Sequence, residues 1–312
     1  MTPPHPARGA QAAGWRGPLA RAGRWVALTL TGIWNGYWLL VLAWWVVSTG
    51  LVANDWAYIA GVDPQSPYAN RVFRWSVPAA WLWAVVVVPL GPLLWGTLHL
   101  VALATIRNLG VVLLAVVTYP FWWDVANGNV LTFAFVLGWH ALAGRRVGVI
   151  GYALFAALVP RPLMIPVLAW LLVRYPSARW AFAAGIVTVV GSAVAGGQLG
   201  PWLERLAGIT GGEIAEVYNT GPSAVLGPAW VTIGIALGTL AWWRGRLGLA
   251  SLLVSPYLIH YYGIFALLEL AGVRRPVGPM DDPPRPRDDG VGPDGRGRGI
   301  DRKSTRLNSS HT

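Results

Sequence analysis

Between Asn54 and Pro78 the chain reads NDWAYIAGVDPQSPYANRVFRWSVP, a polar interval holding the carboxylates Asp55 and Asp63, the guanidinium groups Arg71 and Arg74, and the aromatic residues Trp56, Tyr58, Tyr68, Phe73 and Trp75. It follows an apolar run long enough to cross a bilayer. An acid at the point where such a run ends, next to an aromatic-rich loop, suits chemistry on a lipid-borne substrate, because aromatic rings settle at the membrane interface and an acid survives there beside water or a partner. Two later sites add reactive groups: Arg161 is fixed at a turn by Pro160 and Pro162, and His260 lies among Tyr257, Tyr261 and Tyr262 after Pro256. No histidine and carboxylate cluster has metal-ligand spacing. There is no glycine loop to cradle a phosphate, no Asp-x-Asp pair to hold a nucleotide-sugar metal, and no cysteine.

The elements that must position these residues are apolar helices. With 312 residues, 55% hydrophobic and only 12% charged, and a mean hydropathy of +0.49, the chain carries more apolar surface than a soluble core can bury. A formal charge of +11 would suit nucleic acid, but the arginines fall in short clusters between apolar runs, as positive-inside loops do, and nucleic-acid binding is set aside. Placing Arg24, Arg107, Arg145, Arg146, Arg174, Arg179, Arg244, Arg246, Arg274 and Arg275 in the cytoplasm makes each run between them a hairpin. The outer turns then fall at 54–74, 124–129, 160–162, 200–222 and 256–262. The expected fold is an all-α polytopic membrane protein of about ten helices, opening with a span at 25–51 and an interfacial or re-entrant helix at 77–90, broken by Pro89 and Pro92. Further spans follow at 92–106, 109–121, 130–144, 147–159, 162–174, 179–199, 222–243, 247–258 and 261–272.

Residues 1–24, rich in Pro, Gly, Ala and Arg, read as a disordered cytoplasmic segment, and 25–272 as the membrane domain. The Arg, Pro, Asp and Gly tail at 273–312 reads as disordered; its last stretch, 301–312, holds the chain's one lysine, Lys303, and reads as a sequencing artefact outside the functional protein. Trp44, Trp45, Trp56, Trp75, Trp122, Trp123, Trp242 and Trp243 are expected in interfacial belts. His99 and His140 are expected in the core of the cytoplasmic half.

The segments Asp55-Trp-Ala-Tyr58, Pro67-Tyr68 and Phe73-Arg-Trp-Ser76 resemble the first external loop of GT-C fold glycosyltransferases. They are most similar to glycosyltransferase family 87, the polyprenyl-phosphate-mannose-dependent α-mannosyltransferases. Gly128-Asn129-Val130, Val159-Pro-Arg-Pro-Leu163 and Ser255-Pro-Tyr-Leu-Ile-His260-Tyr-Tyr262 fit the same family in order, over about residues 25–272. The chain departs from that pattern at Arg161, where relatives more often carry Lys, and at Asn127-Gly128, in a region that often carries Gly-Gln.

The resemblance implies a GT-C-like bundle that moves a hexose, mannose above others, from a polyprenyl phosphate to a lipid or glycan acceptor. The active site would face the extracytoplasmic side of the cell membrane. It makes Asp55 the general base and His260 a second catalytic residue. One base suffices, because a sugar on a polyprenyl phosphate leaves with an already stable anion, whereas a glycosidase must protonate its leaving alkoxide. The departing phosphate calls for a cation: Arg161 first, with Arg71 and Arg74 in reserve. Tyr58, Tyr68, Asn129 and Tyr261 are candidate substrate contacts, and Asp63 and Asp124 secondary acids. No cofactor is implied beyond the sugar donor, although the outer acids could take a divalent ion together with phosphate and water. The partners are the bilayer, the lipid-linked sugar and the glycolipid or glycan acceptor; nothing fixes an oligomeric state. A lipid or sugar-lipid transporter without transfer activity is the rival reading, and a noncatalytic scaffold a third. The transporter would show internal repeats and charges at the bilayer midplane, and the sequence has no repeat.

Overall fold

A computed structural model describes residues 16–49, 61–69, 75–204, 219 and 221–271, with residues 16–22, Arg24, Trp45, Thr49 and His260 described by their backbone alone. Helix α1 spans Arg16–Thr49. It begins well inside the segment expected to be disordered, because Pro18 presets the dihedral of a first helical turn and Leu, Ala and Arg propagate it.

Helix α2, Val77–Ala104, is one helical run with a kink inside it at Gly91, so the expected break near Pro89 and Pro92 is present between its two halves. Ser76 caps its start by accepting a hydrogen bond from the Ala79 N–H at 3.4 Å, with Pro78 in the first turn. A widened π turn over Trp83–Val87 leads into Pro89. At Gly91 the backbone leaves the helical region (φ 73°, ψ 164°), a conformation that favours glycine, and the helix restarts at Pro92. Two helical halves are therefore joined across a kink at Gly91, between Pro89 and Pro92.

Helices α3 (Leu109–Val117) and α4 (Tyr119–Asn127) meet at a 69° bend. The carbonyl of Val117 and the N–H of Tyr119 at that bend are both met by the side-chain amide of Asn35 on α1, at 3.0 and 2.7 Å. A hairpin follows, α5 (Leu131–Leu142) and α6 (Arg146–Leu158), and then a loop with a 3₁₀ turn at Pro162–Met164. The Tyr152 hydroxyl donates to the Met164 carbonyl at 3.2 Å, so this loop folds back along α6 before α7 (Ile165–Arg174) begins.

Next come α8 (Pro176–Ala195), α9 (Ala229–Trp243) and α10 (Leu247–Val254), and then a 3₁₀ helix over His260–Ala271 where a regular helix was expected. At three residues per turn, positions three apart eclipse, and Tyr262, Phe265 and Leu268 accordingly form one fully buried row. That row packs against α4, α5 and α10.

The described residues are helical with no strand. Among the described residues three helical stretches are long and apolar enough to cross a membrane, Trp25–Ser48, Val77–Ala104 and Pro176–Ala195; α3 with α4 makes a fourth if the bent pair is one span. Leu28, Ile33, Leu40 and Trp44 of α1, Val187 of α8 and Ile235 of α9 face outward. The arrangement is compatible with a helical membrane protein. The tryptophan belt needs correction. Trp75 and Trp123 are buried, and Trp122 and Trp242 are tied by their indole N–H groups to the carbonyls of Val116 and Pro166 at 2.6 and 2.9 Å, so these rings brace the bundle. Trp44 and Trp243 remain exposed.

Candidate functional site

The loop over 61–69 is built around Asp63. Its carboxylate accepts from the Gln65 N–H and from the Ser66 hydroxyl, each at 2.9 Å. These two bonds, the backbone one first, hold its pKa below the ordinary carboxylate value. Asp63 is thus the anchor of an Asx turn. Tyr68 closes the loop by donating its hydroxyl to the Trp75 carbonyl at 2.9 Å, and its burial pushes the hydroxyl pKa well up. Ser76 then donates through both its N–H (3.3 Å) and its hydroxyl (2.8 Å) to the Leu158 carbonyl at the end of α6. Two segments eighty residues apart are joined there, and the second leads straight into Val159 and Arg161.

Arg161 is part-buried and extended (φ −134°), with proline on either side. One of its terminal nitrogens donates to the hydroxyls of Tyr257 and Tyr262 at 3.4 and 3.3 Å, and Tyr262 donates on to Tyr257 at 3.2 Å. Its Nε is buried without a hydrogen-bond partner, and among the described residues no carboxylate lies within ion-pair distance of it. A guanidinium cannot shed its charge. One that is desolvated on long bonds to neutral hydroxyls is therefore set up to receive an anion.

The Gly128-Asn129-Val130 segment follows α4. Gly128 takes the left-handed conformation that ends the helix (φ 69°), and its carbonyl accepts from the Trp95 indole at 2.9 Å. Asp124 was expected at an outer turn as a secondary acid. It is instead fully buried inside α4, where it accepts from the N–H groups of Leu131 (3.3 Å) and Thr132 (2.6 Å) and so caps α5. His99 lies 3.7 Å from it. The arginine pattern had assigned these two residues to opposite halves of the membrane, and the structure puts them in contact.

Asn129 and Tyr261, both expected to touch substrate, are buried, and the Asn129 side chain accepts from the Val130 N–H at 2.7 Å. Tyr68 is likewise engaged within the fold. Asp55, Tyr58, Arg71 and Arg74 lie outside the described residues, as does the side chain of His260; its backbone starts the 3₁₀ helix whose third residue is Tyr262.

Val62, Tyr68, Trp75, Val77, Val130, Val159 and Trp202 belong to one apolar cluster. The loop segment, the Gly-Asn-Val segment and the Pro-Arg-Pro segment are thus packed together, and Arg161 ties them to the Tyr257–Tyr262 segment. The sequence reading missed Tyr257 and Tyr262 as partners of Arg161, and Ser76 as the link. Ser76 ahead of Val77-Pro78 carried a legible cap signal. Among the described residues no group of three His, Asp or Glu could hold a metal ion. Compared with models of known families, with curated proteins and with solved structures, the chain matches none.

Proposed function

We propose that this protein is a membrane-embedded glycosyltransferase with a GT-C-like bundle of about ten helices, transferring a hexose from a polyprenyl phosphate to a lipid or glycan acceptor on the extracytoplasmic face of the cell membrane. The observation that carries this reading is Arg161. A part-buried guanidinium has an unpartnered Nε and neutral tyrosine neighbours, on a loop that packs with the segment following Asp55. An anionic group on a lipid-borne substrate suits that guanidinium. At about 4 Å and an effective dielectric near 20, the pair is worth roughly 4 kcal/mol before desolvation.

In this scheme the Asp55 carboxylate takes the proton of the acceptor hydroxyl as its oxygen attacks the anomeric carbon. The bond from that carbon to the phosphate oxygen breaks on the opposite face, and the configuration inverts. The extra negative charge collects on the polyprenyl phosphate beside Arg161, so the contact tightens as the bond breaks. The scheme gives His260, which starts the 3₁₀ helix that holds Tyr262, the role of contacting donor or acceptor.

The test is transfer of labelled mannose from polyprenyl-phosphomannose in membranes carrying the protein. Asp55→Asn is expected to lower the rate by about 10²–10⁴-fold, the usual contribution of a positioned base, at unchanged expression. Retention of most activity by that variant overturns the assignment of the base. Absence of transfer by the parent chain with every polyprenyl-phosphate sugar tried overturns the function.

A further inference from the structure

Deep between α2, α4 and α5, the ring of His99 has oxygen at both nitrogens. Nδ1 lies 2.9 Å from the Trp95 carbonyl and Nε2 lies 2.7 Å from the Asn129 carbonyl. A carbonyl oxygen can only accept. A neutral imidazole has one N–H and one lone pair, so either neutral tautomer would set a ring lone pair against a carbonyl lone pair at under 3 Å. Only the doubly protonated ring satisfies both contacts.

The surroundings agree with a cation. The carboxyl group of Asp124 is 3.7 Å from Nε2, and each of its oxygens accepts a backbone N–H, from Leu131 and from Thr132. The rings of Trp95 and Phe133 lie 5.3 and 4.6 Å from the imidazole, centroid to centroid, the first in a T-shaped and the second in a tilted arrangement. Both His99 and Asp124 are fully buried, and one unpaired charge in an apolar bundle is far costlier than a neutral pair of opposite charges.

We propose that His99 and Asp124 form a buried imidazolium–carboxylate pair. In it His99 is a positioning residue that pins the α4–α5 turn, with Asn129 in it, to α2. The inference does not rest on sugar transfer. The chain has five histidines, so the test is nitrogen NMR of the full-length protein labelled at histidine, in lipid nanodiscs. At pH 8, one histidine is expected to keep two N–H nitrogens while the rest show one, and His99→Gln should remove that signal.

Should His99→Gln fail to fold, replacing His5, His140, His260 and His311 one at a time must each leave the signal in place. A spectrum at pH 8 in which every histidine carries a single N–H overturns the proposal, as does loss of the signal on replacing any histidine other than His99. The readout is independent of activity, so failure of the transfer assay does not touch it.

Discussion

At the scale of single residues, the distinction that matters is between charge that is used up inside the fold and charge left over. Asp63 and Asp124 use their acceptor capacity on neighbouring N–H and hydroxyl groups, whereas Arg161 has donor capacity with no carboxylate among the described residues to take it. If Arg161 holds a phosphate, its planar fork matters as well as its charge. Arg161→Lys is then expected to retain part of the transfer activity and Arg161→Gln to lose about 10²–10³-fold, the cost of removing one stabilising donor from a transition state. Equal activities in the two variants would show that charge is irrelevant there. Asp63 gives a pH dependence with a definite sign. Its pKa is lowered in the folded loop, so its contribution to loop order is complete above the unfolded value of about 3.9 and is lost as the pH falls through the folded value. Proteolysis at 61–69 is therefore expected to be unchanged between pH 7 and 5 and to rise below pH 4. Asp63→Asn should show the acid-like rate already at pH 7, because it removes the charged acceptor.

At the scale of helices, close approach is bought with glycine at specific crossings. A Cβ at Gly238 of α9 would sit 2.5 Å from a methyl of Val254 on α10, and one at Gly234 would collide with the Leu253 carbonyl. Gly238→Leu is expected to cost about 1–3 kcal/mol and lower the thermal unfolding midpoint. Gly191→Leu on α8, where nothing lies within 4 Å, should be neutral or stabilising by up to about 1 kcal/mol. Equal effects at both positions would contradict the packing of α9 on α10. Much of this level was legible in sequence. Arginines and turn residues placed the α5–α6 hairpin and the fold-back before α7, because caps and charges act locally. The break between 77–90 and the helix that follows was legible too, because Pro89, Gly91 and Pro92 all disfavour a continuous helix there. The His99–Asp124 contact was not, because a reading of the arginine pattern assigns depth along the membrane and cannot see a lateral partner. The demand that two buried charges cancel would have pointed to it.

At the scale of the whole molecule, the transfer reading requires the 61–69 loop and the α5–α6 turn to face opposite sides of the membrane. The chain has no cysteine, so single introduced thiols report without background. Gln65→Cys is expected to react with an impermeant maleimide added to intact cells. Ala143→Cys, in the exposed turn after α5, should react only after permeabilisation. Labelling of both from one side would end the proposed topology. The bridge from Asn35 to the α3–α4 bend sets a condition on biogenesis. Helix α1 leaves the ribosome first with a bare amide on its flank, and the two backbone groups that amide will serve are synthesised more than eighty residues later. Until they arrive, that side chain must be shielded by the insertion machinery or by headgroup water, and an N-terminal truncation that deletes residue 35 would leave a later segment unable to seal.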